Sequence, residues 1–351
     1  MSTISERPGV YTTYEVVNVR YSGKNGGYAG IAAKAKSGEF GKVYTVTDVF
    51  KAESIFGGDA NITALIKLLL LNGAGAVVAV PVSESADNEA YKTAFSDLVG
   101  NENVKVLLCD SVDESVHALL KTAITETEGR NIHKLAIMES GKEEVQEIIA
   151  EAASLNCERT VLTAPRGTDE NGVILTEGST AAALAGVILS QADPAVPVNG
   201  AKLYGIYGTK KSFTEGETEL LLKGGVTALE YAGGTVNVIR GVTTKTTTDG
   251  IADKTWHDIN TVLVVDDVIP TVRNVLKNSF TRAKNTAQTR DAIKTRVIIE
   301  LDKKKTAEII ENYGNVTAVQ NPDDPGVCDV SFDFTVSHGL NQICVKAYIT
   351  I

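Results

Sequence analysis

Two rhythms of apolar residues divide this 351-residue chain. In the first half, Ile62, Leu65, Ile66, Leu69 and Leu70 recur at helical spacing and stop at Asn72-Gly73, which predicts a helix from residue 59 onward. Four short, mostly apolar runs follow at 76–80, 104–109, 134–138 and 160–163. Amphipathic helical patterns lie between them at 86–99, 112–128 and 142–155, and another follows at 179–190. Strands apolar on both faces that alternate with helices predict a mostly parallel sheet covered on both sides.

The stretch Asp193-Pro194-Ala195-Val196-Pro197-Val198-Asn199-Gly200 is turn chemistry and closes this pattern. Beyond it, residues 226–231 and 235–240 read as a hairpin across Ala232-Gly233-Gly234, 243–248 as an exposed Thr-rich loop, and 261–265 as a strand. Val268, Ile269, Val272, Val275, Leu276 and Phe280 form one helical stripe, and further helices are predicted at 286–296 and 303–313. Near the C-terminus the period becomes two. Cys328, Val330, Phe332, Phe334 and Val336 alternate with polar residues, and after His338-Gly339 the series Ile343, Val345, Ala347, Ile349 and Ile351 does the same. This predicts a two-stranded unit with one buried face. At the other end, residues 10–21 are rich in β-branched and aromatic side chains after the turn Arg7-Pro8-Gly9. They suit either a first strand of the chain's own sheet or an arm pairing with the sheet of another chain.

The fold class expected is therefore α/β and α+β, multidomain. It has an extended N-terminal arm at 1–21 and an α/β middle domain with a mostly parallel sheet at 22–200. A C-terminal α+β domain follows at 201–339, to which residues 22–50 can contribute strands, and then a terminal arm strand at 340–351.

Composition narrows the function. With 43% hydrophobic and 22% charged residues the chain can bury sizeable cores and is not disordered. A net charge of −10 argues against a global basic surface for nucleic acid. The four cysteines, Cys109, Cys157, Cys328 and Cys344, never form CxxC and read as reduced, mostly buried thiols. The start lacks the apolar core of a signal peptide, and no apolar run is long enough to span a bilayer. One region departs from the average: between Pro270 and Lys305, ten basic residues face three acidic ones, which leaves −17 for the rest of the chain. Such asymmetry predicts a basic face meeting an acidic partner, against the plainer reading of a solvated helix surface. Aromatics for base stacking are not interleaved there.

No catalytic constellation emerges. Gly73-Ala74-Gly75 precedes a strand, whereas a dinucleotide loop must follow one. Gly141-Lys142 lacks both the upstream glycine and the Ser/Thr of a phosphate loop, and Asp266-Asp267 has no such loop to serve. The histidines His117, His133, His257 and His338 are isolated, so each is expected to be structural or at the surface, and there is no GxSxG elbow. Catalytic, cofactor and metal residues are expected to be none.

Several segments in order resemble the contractile tail sheath family. Arg7-Pro8-Gly9-Val10-Tyr11 matches its opening signature, and 69–80 is similar to its helix–glycine turn–strand entry into the middle domain. Residues 235–244 resemble the strand opening its C-terminal domain. Residues 256–298, including Phe280-Thr-Arg-Ala-Lys-Asn-Thr286, resemble its helical part, and the alternating terminus fits as well.

The resemblance implies a non-enzymatic subunit that polymerises with itself helically around an inner tail tube protein and contracts to drive the tube through a bacterial envelope. It further implies that arms complete the sheets of neighbouring copies. The arm residues would be Pro8, Gly9, Val10, Tyr11, Tyr14, Val16, Val17 and Val19, with Ile343, Val345, Ala347, Ile349 and Ile351. The tube-facing C-terminal domain would touch the tube through Arg273, Lys277, Arg282 and Lys284. Baseplate and tail terminator proteins would be further partners, without nucleic acid, cofactor or membrane insertion. Assembly would take place in the host bacterial cytoplasm, into a virion tail or a released bacteriocin particle. Two alternatives stand beside this: a type VI secretion sheath component, and a cytoplasmic α/β nucleotide-binding enzyme.

Overall fold

The computed structural model describes residues 26–126 and 133–349. In chain order the elements are β1 (Tyr28–Lys34), β2 (Tyr44–Val46), α1 (Val49–Phe56), α2 (Asn61–Leu71), β3 (Ala76–Val82), α3 (Asn88–Val99), β4 (Val104–Cys109) and α4 (Glu114–Thr125). Next come β5 (Leu135–Glu139), α5 (Val145–Leu155), β6 (Thr160–Ala164), β7 (Gly167–Thr168), α6 (Ser179–Ser190), β8 (Gly208–Thr209), α7 (Glu215–Lys223), β9 (Val226–Ala232) and β10 (Thr235–Val238). The chain continues through β11 (Thr247–Thr248), β12 (Ile251–Ala252), α8 (Ile259–Phe280), α9 (Ala287–Thr306), β13 (Ile310–Gln320) and β14 (Cys328–Val336).

An eight-stranded sheet of order β10-β9-β6-β5-β4-β1-β3-β2 forms the body. Its inner strands pair in parallel, while β2 and β10 pair antiparallel at the two edges. Strands β3, β5 and β6 are buried along their whole length, as expected of a parallel sheet covered on both sides. One face carries α1, α2 and α6, and the other α3, α4, α5 and α7. Helix α6 lies close against α2 because Gly186 has no side chain: a Cβ there would stand 2.6 Å from Asn72 Cβ. Asp48, Asp87 and Asp113 accept backbone N–H groups at the starts of α1, α3 and α4, and Thr214 with Glu217 closes a capping box on α7.

The sheet reverses its winding at β1, which lies between β3 and β4. Crevices of this kind hold ligands in many α/β proteins, but here the chain's own groups knit the strand ends together. Asp110, just after β4, accepts from Lys34 N (2.9 Å), Asn61 Nδ2 (2.9 Å) and Tyr91 Oη (2.6 Å). Glu139, at the end of β5, accepts from Gly178 N, Thr180 N and Thr180 Oγ1 at the start of α6. Burial pushes both carboxyls above their ordinary range, against the pull of those donors. His117 is fully buried, with Nδ1 2.9 Å from Glu151 and Nε2 2.8 Å from the Ser111 carbonyl, so it is structural.

A separate core forms at the C-terminal end. Val264, Val268 and Val272 of α8 pack with Val297 and Leu301 of α9 and with Ile310 and Val316 of β13. Val330, Phe332, Phe334 and Val336 of β14 pack against this cluster, while Asp329, Ser331, Asp333 and Thr335 face water.

Several sequence expectations need correction. Residues 261–265 are not a strand but the opening turns of α8, with Val262 buried in the core of the body and Val264 in the C-terminal core. The helix expected at 303–313 does not exist as such: α9 ends at Thr306, Glu308 takes a positive φ of 59°, and β13 begins at Ile310. Strand β14 pairs with β13 and not with residues 343–351, which are outside any strand as far as they are described. The Thr-rich loop is not wholly exposed. Thr243 and Thr244 are buried, and Thr244 N donates to the Thr160 carbonyl at 2.9 Å. Of the two places open to residues 22–50, Tyr28–Lys34 takes the centre of the α/β sheet. That sheet also continues past the turn at 193–200, through β9 and β10. Only Cys109 and Cys157 are buried; Cys328 is intermediate and Cys344 exposed.

Candidate assembly surfaces

Helices α8 and α9 form an antiparallel hairpin whose tip is residues 281–286. Three of the four expected basic contacts, Lys277, Arg282 and Lys284, gather exposed at this tip, and Arg273 lies one turn before Lys277 on α8. Lys277 sits in the last turn of α8, where the helix dipole favours a cation.

The full count of ten basic residues overstates the patch. Lys304 pairs with Asp267 at 2.5 Å, Arg296 and Lys303 share Glu300, and Arg290 bonds to Asn285. Lys277, Arg282 and Lys284 make no ion pair among the described residues. The Glu300 pairs are i,i+3 and i,i+4 neighbours on α9 and follow from helical spacing, whereas Asp267 reaches Lys304 only through the packing of α8 on α9.

The second surface pairs an open sheet with an unhoused segment. Strands β13 and β14 make a two-stranded sheet, so both outer edges lack a partner within the described chain. Strand β13 carries two register shifts, around Asn312 and between Gly314 and Thr317, whereas β14 runs nine residues with regular alternation. Unpaired edges are templates for another strand, and bulges blunt them.

Beyond β14 the chain passes Gly339, whose missing side chain lets it lie on Pro197 (a Cβ would meet Pro197 Cγ at 2.9 Å). The apolar side chains that follow are left exposed among the described residues. Leu340, Ile343, Val345, Tyr348 and Ile349 are 72–87% exposed, and Ala347 is exposed too. Large apolar side chains left in water forgo roughly 1.5–3 kcal/mol each, so this segment is suited to burial elsewhere. Pro8, Gly9, Val10, Tyr11, Tyr14, Val16, Val17, Val19 and Ile351 lie outside the described residues.

Two domain families match in sequence order: the phage tail sheath protein central domain over residues 84–244, and the phage tail sheath C-terminal domain over residues 252–350. The chain belongs to the phage tail sheath family. The tail sheath protein of Bacillus phage SP01 is 27% identical over 278 residues, which is 76% of this chain and 46% of that protein. The chain thus spans about half the length of the curated relative it matches.

Solved structures share the fold at low identity. The helical sheath of the anti-feeding prophage in its contracted state aligns with a TM-score of 0.74 at 14% identity, covering 98% of this chain and 99% of that one. A sheath tail protein of Desulfitobacterium hafniense aligns at 0.71 and 12% identity, covering 93% and 100%.

Proposed function

We propose that this chain is the repeating subunit of a contractile sheath, polymerising helically with itself around an inner tube. The observation that carries this reading is the coexistence of an open-edged sheet, β13–β14, and an exposed alternating segment, 340–349, in one protomer. A strand from one copy laid on the sheet of the next satisfies both, and ladder bonds need little side-chain identity, so the link survives rotation of the domains. Residues 1–21 are proposed to act as the second arm.

The basic tip, Lys277, Arg282 and Lys284 with Arg273 behind it, is proposed to meet an acidic face of the tube. Exposed ion pairs are worth ~0–1 kcal/mol each. Many weak contacts per turn of the lattice therefore hold an extended form yet let go together. Contraction then proceeds downhill as copies bury more surface against one another, without a nucleotide, cofactor or catalytic group. Baseplate and terminator proteins cap the ends of the polymer, which forms in the bacterial cytoplasm as part of a tail.

Electron microscopy of the purified protein tests this reading. Tubes or stacked rings are expected; compact small oligomers would refute it.

A further inference from the structure

We infer that Asp266 and Asp267 are positioning residues that hold the basic α8–α9 tip at a fixed angle to the α/β body. The two are neighbours on α8, so they point about 100° apart and reach different elements. Asp266 Oδ2 pairs with a guanidinium nitrogen of Arg159, at the entrance to β6, and the Arg159 side chain is only 7% exposed. Asp267 Oδ2 accepts from Lys304 Nζ at 2.5 Å, near the end of α9.

Their place along the helix gives the pairs their role. Ile259 and Val262 of α8 belong to the core of the α/β body, whereas Val264, Val268 and Val272 belong to the C-terminal core. The helix thus crosses from one core to the other within two turns, and the acidic pair sits just past the crossing, between Val264 and Val268. Upstream, Arg240 anchors the helix start to the body through Asp258 at 2.8 Å. Downstream, Pro270 lies inside the helix. It has no N–H to offer the Asp266 carbonyl, so the ladder is interrupted just past the crossing. An interrupted helix is a poor rigid link by itself. Arg159–Asp266 ties it to the body and Asp267–Lys304 ties it to its partner helix, which together restore the restraint. This end also meets the body through Ala195, which packs against the C-terminal core, the exposed Asn199–Asn341 bond and the Gly339–Pro197 contact.

The functional consequence rests on the proposal that the tip meets the tube: the brace would keep Lys277, Arg282 and Lys284 in register with that face. The brace itself is testable without a tube.

Hydrogen–deuterium exchange on the unassembled full-length chain provides that test, with Asp266→Asn, Arg159→Gln, their double variant, Asp266→Glu and Asp267→Asn. Asp266→Asn is expected to speed exchange in α9, β13 and β14 by about tenfold while β3–β6 keep their rates. The double variant should be no worse than either single one, as for a coupled pair, and Asp266→Glu should recover most of the protection. Should Asp266→Asn fail to fold, Asp267→Asn, on the more exposed pair, is expected to show the same regional effect at about threefold. Unchanged exchange in the C-terminal core, additive effects, or equal acceleration in both cores would overturn the inference. None of these outcomes bears on the charge of the tip, which a binding measurement reads separately.

Discussion

The Asn199 side-chain amide donates to Asn341 Oδ1 at 2.8 Å, which fastens the root of the C-terminal segment to the loop after α6. The last turn of α6, just before that loop, receives the start of the described chain: Leu189 O accepts from Gly27 N at 3.0 Å. Both ends are thus rooted along residues 189–199, and Gln191 draws the loop closed through a bond to the Val196 carbonyl. Gly27 leads straight into β1 at the centre of the sheet, whereas the C-terminal segment meets the body at this loop.

Deleting residues 340–351 should separate folding from assembly. The exposed side chains of this segment contribute to none of the cores, so the melting temperature is expected to change little, within about ±0.5 kcal/mol of stability. Polymers should disappear from sedimentation and electron micrographs. Deleting residues 1–20 is expected to have the same pair of effects. Loss of the fold in either deletion would show the segment to be part of its own protomer.

Charge reversal at the tip, Lys277→Glu with Arg282→Glu and Lys284→Glu, should leave the fold intact. Loss of the favourable cation at the end of α8 costs about 0.3–1 kcal/mol. Binding to the tube protein should weaken by about tenfold or more at low salt, with a smaller salt dependence than the parent. Unchanged binding would move the tube contact to another face.

The α/β body was legible because β3–β6 are short, mostly apolar and separated by helices of amphipathic period. The C-terminal core was harder to read. The β-branched run Thr261-Val262-Leu263-Val264-Val265 carries strand propensity, yet it lies in α8 with Val262 in one core and Val264 in the other, so tertiary context overrides the local preference. Residues 303–313 share a helical composition, and only the positive φ at Glu308 ends the helix there. The alternation of 343–351 was visible, but periodicity cannot say whether a strand's partner lies in the same chain. Nor could the Arg159–Asp266 pair be seen, since its members are far apart in sequence and meet only through tertiary packing.

Lys134 should make stability rise with alkaline pH. Its ammonium donates to the Asn101 and Val104 carbonyls at 2.6 Å each, and burial pulls its pKa down to about 8. Between about pH 8 and the ordinary value of 10.5 the unfolded chain holds a proton that the folded chain has released. Folding is therefore favoured as pH climbs through that window. The difference in melting temperature between the parent and Lys134→Met, followed from pH 7 to about pH 10, should grow in favour of the parent. A constant difference would contradict the shift.

Thiol labelling should follow burial. Cys344 is exposed and is expected to react first, with Cys328 slower. Cys109, whose thiol burial pushes up to about 12, and Cys157 should react only on unfolding. Early modification of Cys109, followed by mass spectrometry, would contradict the buried carboxyl edge of β4.

An electron cryomicroscopy map of the assembled polymer, traced through residues 337–351, is the decisive measurement. It should show 343–349 as a strand hydrogen-bonded to the β13–β14 sheet of a different copy. A trace returning that segment to its own protomer, with the sheet edges of neighbouring copies left open, would contradict the account.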